Sequence, residues 1–206
     1  MLARAGGGAG LVALAAVLLA MVTAGGCAAR KSLYVQEFVA APYGKVGSVA
    51  VLPFRNKSGY KQGDRILYRV FLSELVMHGS WRVALEGDVR KIYQQLHLKP
   101  WDQPSPEQLK VIASRLGVER LIAGDLFAME EKIYKDYVNP SISLQLRIYD
   151  GETGRILLAT DHRRQGDDYR TMMHFGLVNS VTNLSRRLVQ EILSEWRQRG
   201  LIACEG

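Results

Sequence analysis

Val46-Gly47-Ser48-Val49-Ala50-Val51-Leu52-Pro53-Phe54 is a nearly unbroken apolar run, rich in β-branched residues. A strand open to water on one face alternates polar and apolar side chains. A short run without that alternation therefore predicts a strand covered on both faces, as in a sheet packed between helices. Pro53 lacks an N–H and ends its ladder.

The elements downstream follow the same logic. Arg55 to Asp64 is a polar, turn-rich loop, and Asp64 is placed to cap a helix in which Ile66, Leu67, Val70, Phe71 and Leu75 recur at helical spacing up to Gly79. Trp81 to Leu85 predicts a second strand. Asp88 is placed to cap a helix with Val89, Ile92, Tyr93 and Leu96 on one face. Ser105-Pro106-Glu107-Gln108 carries a full helix start: Ser105 as N-cap, Pro106 at the first helical position and Gln108 closing a capping box. Leu109, Ile112, Ala113 and Leu116 form its buried face, and Gly117 ends it.

Arg120 to Phe127 predicts a third strand. Ile142, Leu144, Leu146 and Ile148 then alternate with Ser143, Gln145, Arg147 and Tyr149, the mark of a strand with one dry face. The turn Asp150-Gly151-Glu152-Thr153-Gly154 returns the chain along Arg155 to Thr160, so these two strands make an antiparallel hairpin. From Thr171 to Arg199, Leu177, Val181, Leu184, Leu188, Ile192 and Trp196 fall in one stripe of a long amphipathic helix, read as a core face. The expected fold is α/β: a single domain with a mixed sheet of about five strands, ending in an antiparallel hairpin. Helices flank it, including the long C-terminal one.

The amino-terminal 30 residues differ in composition from the rest. One early cation, Arg4, is followed by an apolar run from Leu11 to Val22 and the small residues Thr23-Ala24-Gly25-Gly26. That is the layout of an export signal. Its run of about a dozen residues falls short of the roughly 20 that a membrane-crossing helix needs. Ala24-Gly25-Gly26-Cys27 resembles the lipobox of bacterial lipoproteins, in which small residues precede a cysteine that is diacylated before cleavage. Ala24 stands where that family usually has Leu. The resemblance implies lipidation, with palmitate-type chains, at Cys27, and three acyl chains hold a protein on a membrane far longer than one. Ordinary secretion with cleavage near Ala24 or Ala29 is the alternative; both routes export the domain. Ala28 and Ala29 carry no acidic residue, which by resemblance to enterobacterial sorting rules favours the outer membrane, with the domain facing the periplasm.

The expected organisation is a signal peptide at 1–26, a lipidated terminus and tether at 27–45, the α/β domain at 46–200 and a tail at 201–206. The tether, with Pro42 and Gly44, contains a short extended stretch around Tyr34 to Val39. With Cys27 acylated, the second cysteine, Cys204, has no intrachain partner; it is an exposed thiol or the site of an intermolecular disulfide. The roughly 180 residues after the leader suffice for one stable core. A net charge of +7 suits anionic lipid, peptidoglycan carboxylates or an acidic protein partner. Nucleic acid does not fit, because export removes the chain from that compartment and its arginines are dispersed without interleaved aromatics.

Val49-Ala50-Val51-Leu52-Pro53-Phe54 with Asn56 and Ser58, then Ile112 to Val118, Leu121-Ile122-Ala123-Gly124, Leu146 to Asp150 and Thr153-Gly154, resemble in that order the TolB amino-terminal-like domains and the curli-secretion lipoproteins. The resemblance spans roughly residues 46 to 165 and implies an envelope lipoprotein with a binding scaffold. Its members include activators of cell-wall synthases and subunits of a secretion pore.

Catalytic signatures are missing: there is no G-x-S-x-G, no H-E-x-x-H and no G-x-x-x-x-G-K-S/T. His78, His97, His162 and His174 are scattered. Asp161-His162 and Asp167-Asp168 could meet Asp125 in a metal or acid/base site, but adjacent strand residues point to opposite faces, so Asp161 and His162 would not converge. The expectation is no catalytic, metal or cofactor site, and a membrane-anchored, protein-binding scaffold, assembly factor or regulator. The alternatives are a homo-oligomeric pore or ring subunit and an enzyme with an unfamiliar site. Against a barrel, the candidate insertions Arg55 to Asp64 and Ala128 to Pro140 are short and charged, where each spanning strand needs about 9 to 11 alternating residues.

Overall fold

The computed structural model describes residues 34–37, 47–78, 81–171 and 175–201. Cys27, Cys204, His174 and Gly79 lie outside them. The described elements belong to one unit, Leu33–Gly206. Its strands are β1 (Tyr34–Glu37), β2 (Ser48–Val51), β3 (Arg55–Asn56), β4 (Arg82–Val83), β5 (Arg120–Ile133), β6 (Val138–Asp150) and β7 (Ile156–Gln165). The helices are α1 (Gly63–His78), α2 (Glu86–Gln95), α3 (Pro106–Leu116) and α4 (Val181–Gln198), with a 3₁₀ turn at Gly166–Tyr169.

The strands form one mixed sheet in the order β1-β7-β6-β5-β2-β4, with β3 also paired to β5. β2 runs parallel to β4 and β5, and β3 parallel to β5. The β5-β6-β7-β1 half is antiparallel. Seven strands replace the expected five or so. The additional two are short: β1, on the edge of β7, and β3, the continuation of the chain past Pro53.

β2 shows why its sequence lacks alternation. Val49 and Val51 join the larger core beneath α1 and α4, while Ala50 and Leu52 join a second core beneath α2 and α3. All four are essentially inaccessible to solvent. In the larger core Phe71 of α1 meets Trp196 of α4 with ring centroids 6.1 Å apart and Phe54 at 5.5 Å. Truncating either Phe71 or Trp196 to alanine costs about 3–5 kcal/mol at such a site.

The capping box of α3 is formed as its sequence requires. Gln108 N–H donates to Ser105 Oγ (3.2 Å), and Ser105 N–H donates to Gln108 Oε1 (2.8 Å). Gly117 ends the helix at φ 62°. The hairpin turn at Gly154 (φ 69°) presses on the start of this helix, where a Cβ would stand 2.4 Å from the Pro106 carbonyl oxygen, so only glycine fits.

Other helix starts differ from expectation. α1 begins at Gly63, and Asp64 lies inside its first turn, accepting from Asn56 Nδ2 at 3.4 Å rather than capping. α2 begins at Glu86, leaving Asp88 in the first turn and Leu85 at the cap without a side-chain bond. In both helices the carboxylate still favours the positive end of the helix dipole. α4 starts only at Val181, where Ser180 caps Asn183 N–H at 3.3 Å. The sequence period alone does not register that cap, nine residues beyond the expected start at Thr171.

β5 continues through Ile133 and β6 begins at Val138, so the segment read as an insertion at Ala128 to Pro140 is a second hairpin. Pro140 is tolerated because β7 ends at the Ser141↔Gln165 pair, leaving β6 an edge there.

On the face of β7 covered by α4, His162 is buried, with Nε2 2.7 Å from Thr160 Oγ1 and Nδ1 unpartnered. Burial, aided by the charge of Arg164, pulls its pKa down to about 3. Below its unfolded value of about 6.5 the unfolded chain takes up a proton that the folded chain refuses, so stability falls on acidification. Urea unfolding between pH 6 and pH 4 should show a loss approaching about 1.4 kcal/mol per pH unit from this residue, and His162→Leu should remove that part of the slope.

Candidate binding surface

Helices α2 and α3 cover β4, β2 and the start of β5 on their face of the sheet, and reach Tyr149 and Ile156 at the β6–β7 turn. The rest of that face, on β5, β6, β7 and β1, has no helix over it among the described residues. The strand registers place one transverse row of side chains there: Arg55 opposite Asp125, Asp125 opposite Gln145, and Gln145 opposite Asp161.

Asp125 is the anchor of the row. It is 2% exposed, yet carries a full charge. Arg55 grips it bidentately, Nε to Oδ1 and an Nη to Oδ2, both at 2.5 Å. Arg147 donates to Oδ2 at 2.6 Å, and Lys57 at 3.3 Å. Burial pushes the Asp125 pKa up; the bond from Arg55 and the charges of Arg147 and Lys57 more than offset this and hold it below the usual carboxylate range. Its contribution to stability is therefore complete above the unfolded value near 4 and is lost as the pH falls below it. Three cations meet this one carboxylate, so the cluster carries surplus positive charge.

Beside the cluster, the ladder between β5 and β6 shifts at Leu126/Ala128, and the extra residue is Phe127. A bulge of this kind re-aims a side chain. Phe127 turns outward, 44% exposed, with Lys57 Nζ 4.8 Å from its ring centre. An exposed aromatic side chain with Lys57 against its ring, next to the Asp125 cluster, suits recognition of a protein surface.

The acid/base candidates do not assemble. Asp161 accepts from Gln145 Nε2 at 3.0 Å on the open face, whereas His162 is buried on the opposite face, as strand alternation predicts. Asp167 accepts from Asn139 Nδ2 at 2.6 Å, and Asp168 accepts from Gln165 N–H at 2.8 Å. Asp125 is committed to its cations. His78 pairs with the buried Glu74 at 3.3 Å, and His97 lies beyond the end of α2. No group of three or more His, Cys, Asp or Glu among the described residues is placed to hold a metal ion. No helix among them is long and apolar enough to cross a membrane. Asn56 and Ser58 shape the loop before α1, Asn56 Oδ1 accepting from Ser58 N–H and Oγ.

Sequence reasoning named Asp125 only for a catalytic site and passed over Arg55, Arg147 and Phe127. An aspartate in the middle of an otherwise apolar strand was the available signal, since a buried carboxylate requires a cation beside it.

No family model matches the chain, and no curated protein sequence does. Solved structures share the fold. The PelC dodecamer from Paraburkholderia phytofirmans, in two crystal forms, is 14% and 15% identical; the alignments cover 82% and 79% of this chain and 99% and 96% of that one, with a TM-score of 0.54 in both. The lipoprotein GNA1162 from Neisseria meningitidis is 15% identical, covering 74% of this chain and 99% of its own, with a TM-score of 0.52.

Arg55→Met leaves the buried carboxylate short of its bidentate partner and should cost about 3 kcal/mol in denaturant melts. The triple variant Arg55→Met, Asp125→Leu and Arg147→Met should recover most of that loss, because no shielded charge is then stranded and Lys57 reaches solvent.

Proposed function

We propose that the chain is an envelope lipoprotein, anchored through an acylated Cys27 and facing the periplasm from the outer membrane, that binds another envelope protein as a scaffold, assembly factor or regulator. The observation that carries the binding role is the part of the sheet without a helix over it among the described residues, where Phe127 and Lys57 are exposed beside the Asp125 cluster. A catalytic role has no comparable support: Asp125 is held by three cations and Asp161 accepts from Gln145. The anchor rests on the leader and on Ala24-Gly25-Gly26-Cys27; the fold shared with a lipoprotein, GNA1162, supports it.

A second reading is a subunit of a homo-oligomeric ring. The fold shared with the PelC dodecamer favours it, as does the β5–β6 hairpin tip, where Ile133 is 83% exposed and Tyr134 stacks on Tyr137 at 5.0 Å. A heterologous interface, one patch on a different patch of the next copy, closes such a ring.

Labelled palmitate should enter the wild-type chain and not Cys27→Ala, which should move from the membrane to the soluble envelope fraction; an unlabelled, soluble wild type overturns the anchor. With a photoreactive benzoylphenylalanine at Phe127, crosslinking in the envelope should trap a second protein, while the same group at Val76 on α1 should not. A crosslink to a second copy of the chain selects the ring instead.

A further inference from the structure

The parallel end of the sheet stops at β4, whose outer edge has no strand partner among the described residues. Arg82 and Ala84 turn their N–H groups inward, to the carbonyls of Gly47 (3.0 Å) and Val49 (2.9 Å). Backbone groups alternate in direction along a strand, so the N–H and C=O of Val83, between them, face away from the sheet. Such an edge is a template for another strand.

Next to this edge lies a groove of about 430 Å³ between α2 and α3. Val83, Ile92 and Leu116 supply its apolar surface, and Leu85, 71% exposed, stands among its lining residues. Its charged lining is Arg82, Lys91 and Arg115 against Asp88, an excess of two positive charges. Two of the cations are held by neutral acceptors: Arg82 donates to the Gly117 carbonyl at 3.0 Å and Arg115 to Gln95 Oε1 at 2.7 Å. Among the described residues none of the three forms an ion pair. Arg82, Lys91 and Arg115 are exposed, and so are open to a carboxylate from outside; the largely shielded Arg55, Arg147, Arg120 and Arg164 each already meet one within the domain.

We propose that this groove takes an extended acidic segment of a partner protein. The segment adds as a strand along β4 through the outward backbone groups of Val83, lays apolar side chains against Leu85, Ile92 and Leu116, and sets its carboxylates against Arg82, Lys91 and Arg115. Strand addition gives affinity through the main chain, and the unmatched cations give the choice of partner. The inference rests on the protein-binding reading but uses the opposite end of the sheet from Phe127.

The test is fluorescence anisotropy of the purified full chain with two labelled eight-residue peptides, one alternating valine with glutamate, the other valine with lysine. The glutamate peptide should bind at least tenfold more tightly. Lys91→Glu combined with Arg115→Glu should reverse that preference. Val83→Pro removes the outward N–H while sparing the inward bonds of Arg82 and Ala84, and should weaken binding at least tenfold. Thermal melts establish that each variant is folded; if Val83→Pro is not, the charge-reversed variant decides. Equal affinity for the two peptides, no saturation at millimolar concentration, or affinity unmoved by the variants overturns the proposal. So does a dimer in sedimentation that the charge reversal dissociates, because the groove is then covered by a second copy. Loss of the peptide result with Phe127 crosslinks intact removes this groove alone and leaves the protein-binding reading standing.

Discussion

Among the described residues four helices leave part of one face of a seven-stranded sheet uncovered, and the way they are distributed governs the other features. α1 and α4 blanket one face through β2, β5, β6 and β7. α2 and α3 cover the parallel end of the other and reach the β6–β7 turn at Tyr149 and Ile156. β2 is thereby buried on both sides and tolerates no polar residue between Val49 and Leu52, while β6 and β7 must present a wet face and alternate along their length. Unequal cover also explains why the sheet is parallel at one end and antiparallel at the other: parallel strands need the crossover helices that cover them, and antiparallel ones do not.

Asp125 marks the boundary between the two regimes. It stands where cover by α2 and α3 gives out, deep enough to lose its water and near enough to the open face for Arg55, Lys57 and Arg147 to reach it from β3 and β6. A carboxylate so held adds little net stability over an apolar pair, yet stranding it is costly. What it does provide is order: it fixes Arg55, Lys57 and Arg147 in defined positions beside the uncovered face. The neighbouring bulge turns Phe127 outward against Lys57.

The two surfaces that follow from unequal cover differ in kind. The open half of the sheet offers an aromatic anchor among cations already tied to Asp125. At the far edge, the β4 groove offers main-chain groups without a strand partner, and cations without a carboxylate, among the described residues. The two surfaces are chemically different and are held by one core.

Periodicity and local chemistry were enough to determine the helices, the β6–β7 hairpin and the buried β2, because each of those signals is carried by residues close in sequence. Ser105 to Gln108 fixes the start of α3 whatever lies around it. The same locality made Asp64 and Asp88 look like caps, since a capping residue is recognised by type while the backbone turn that precedes it is not. The leader and the acylation of Cys27 are expectations that rest on sequence alone, outside the described residues. Only the tertiary structure decided which face of β6 is left bare, that β5 and β6 continue as paired strands beyond Phe127, and that Arg55, Asp125, Gln145 and Asp161 form one row. Those positions are separated by up to 70 residues for a single hydrogen-bonded pair, and strand register, a long-range quantity, brings them together. Alternation says that a side chain faces water or core; it takes the packed helices to say which water-facing side chains share a surface.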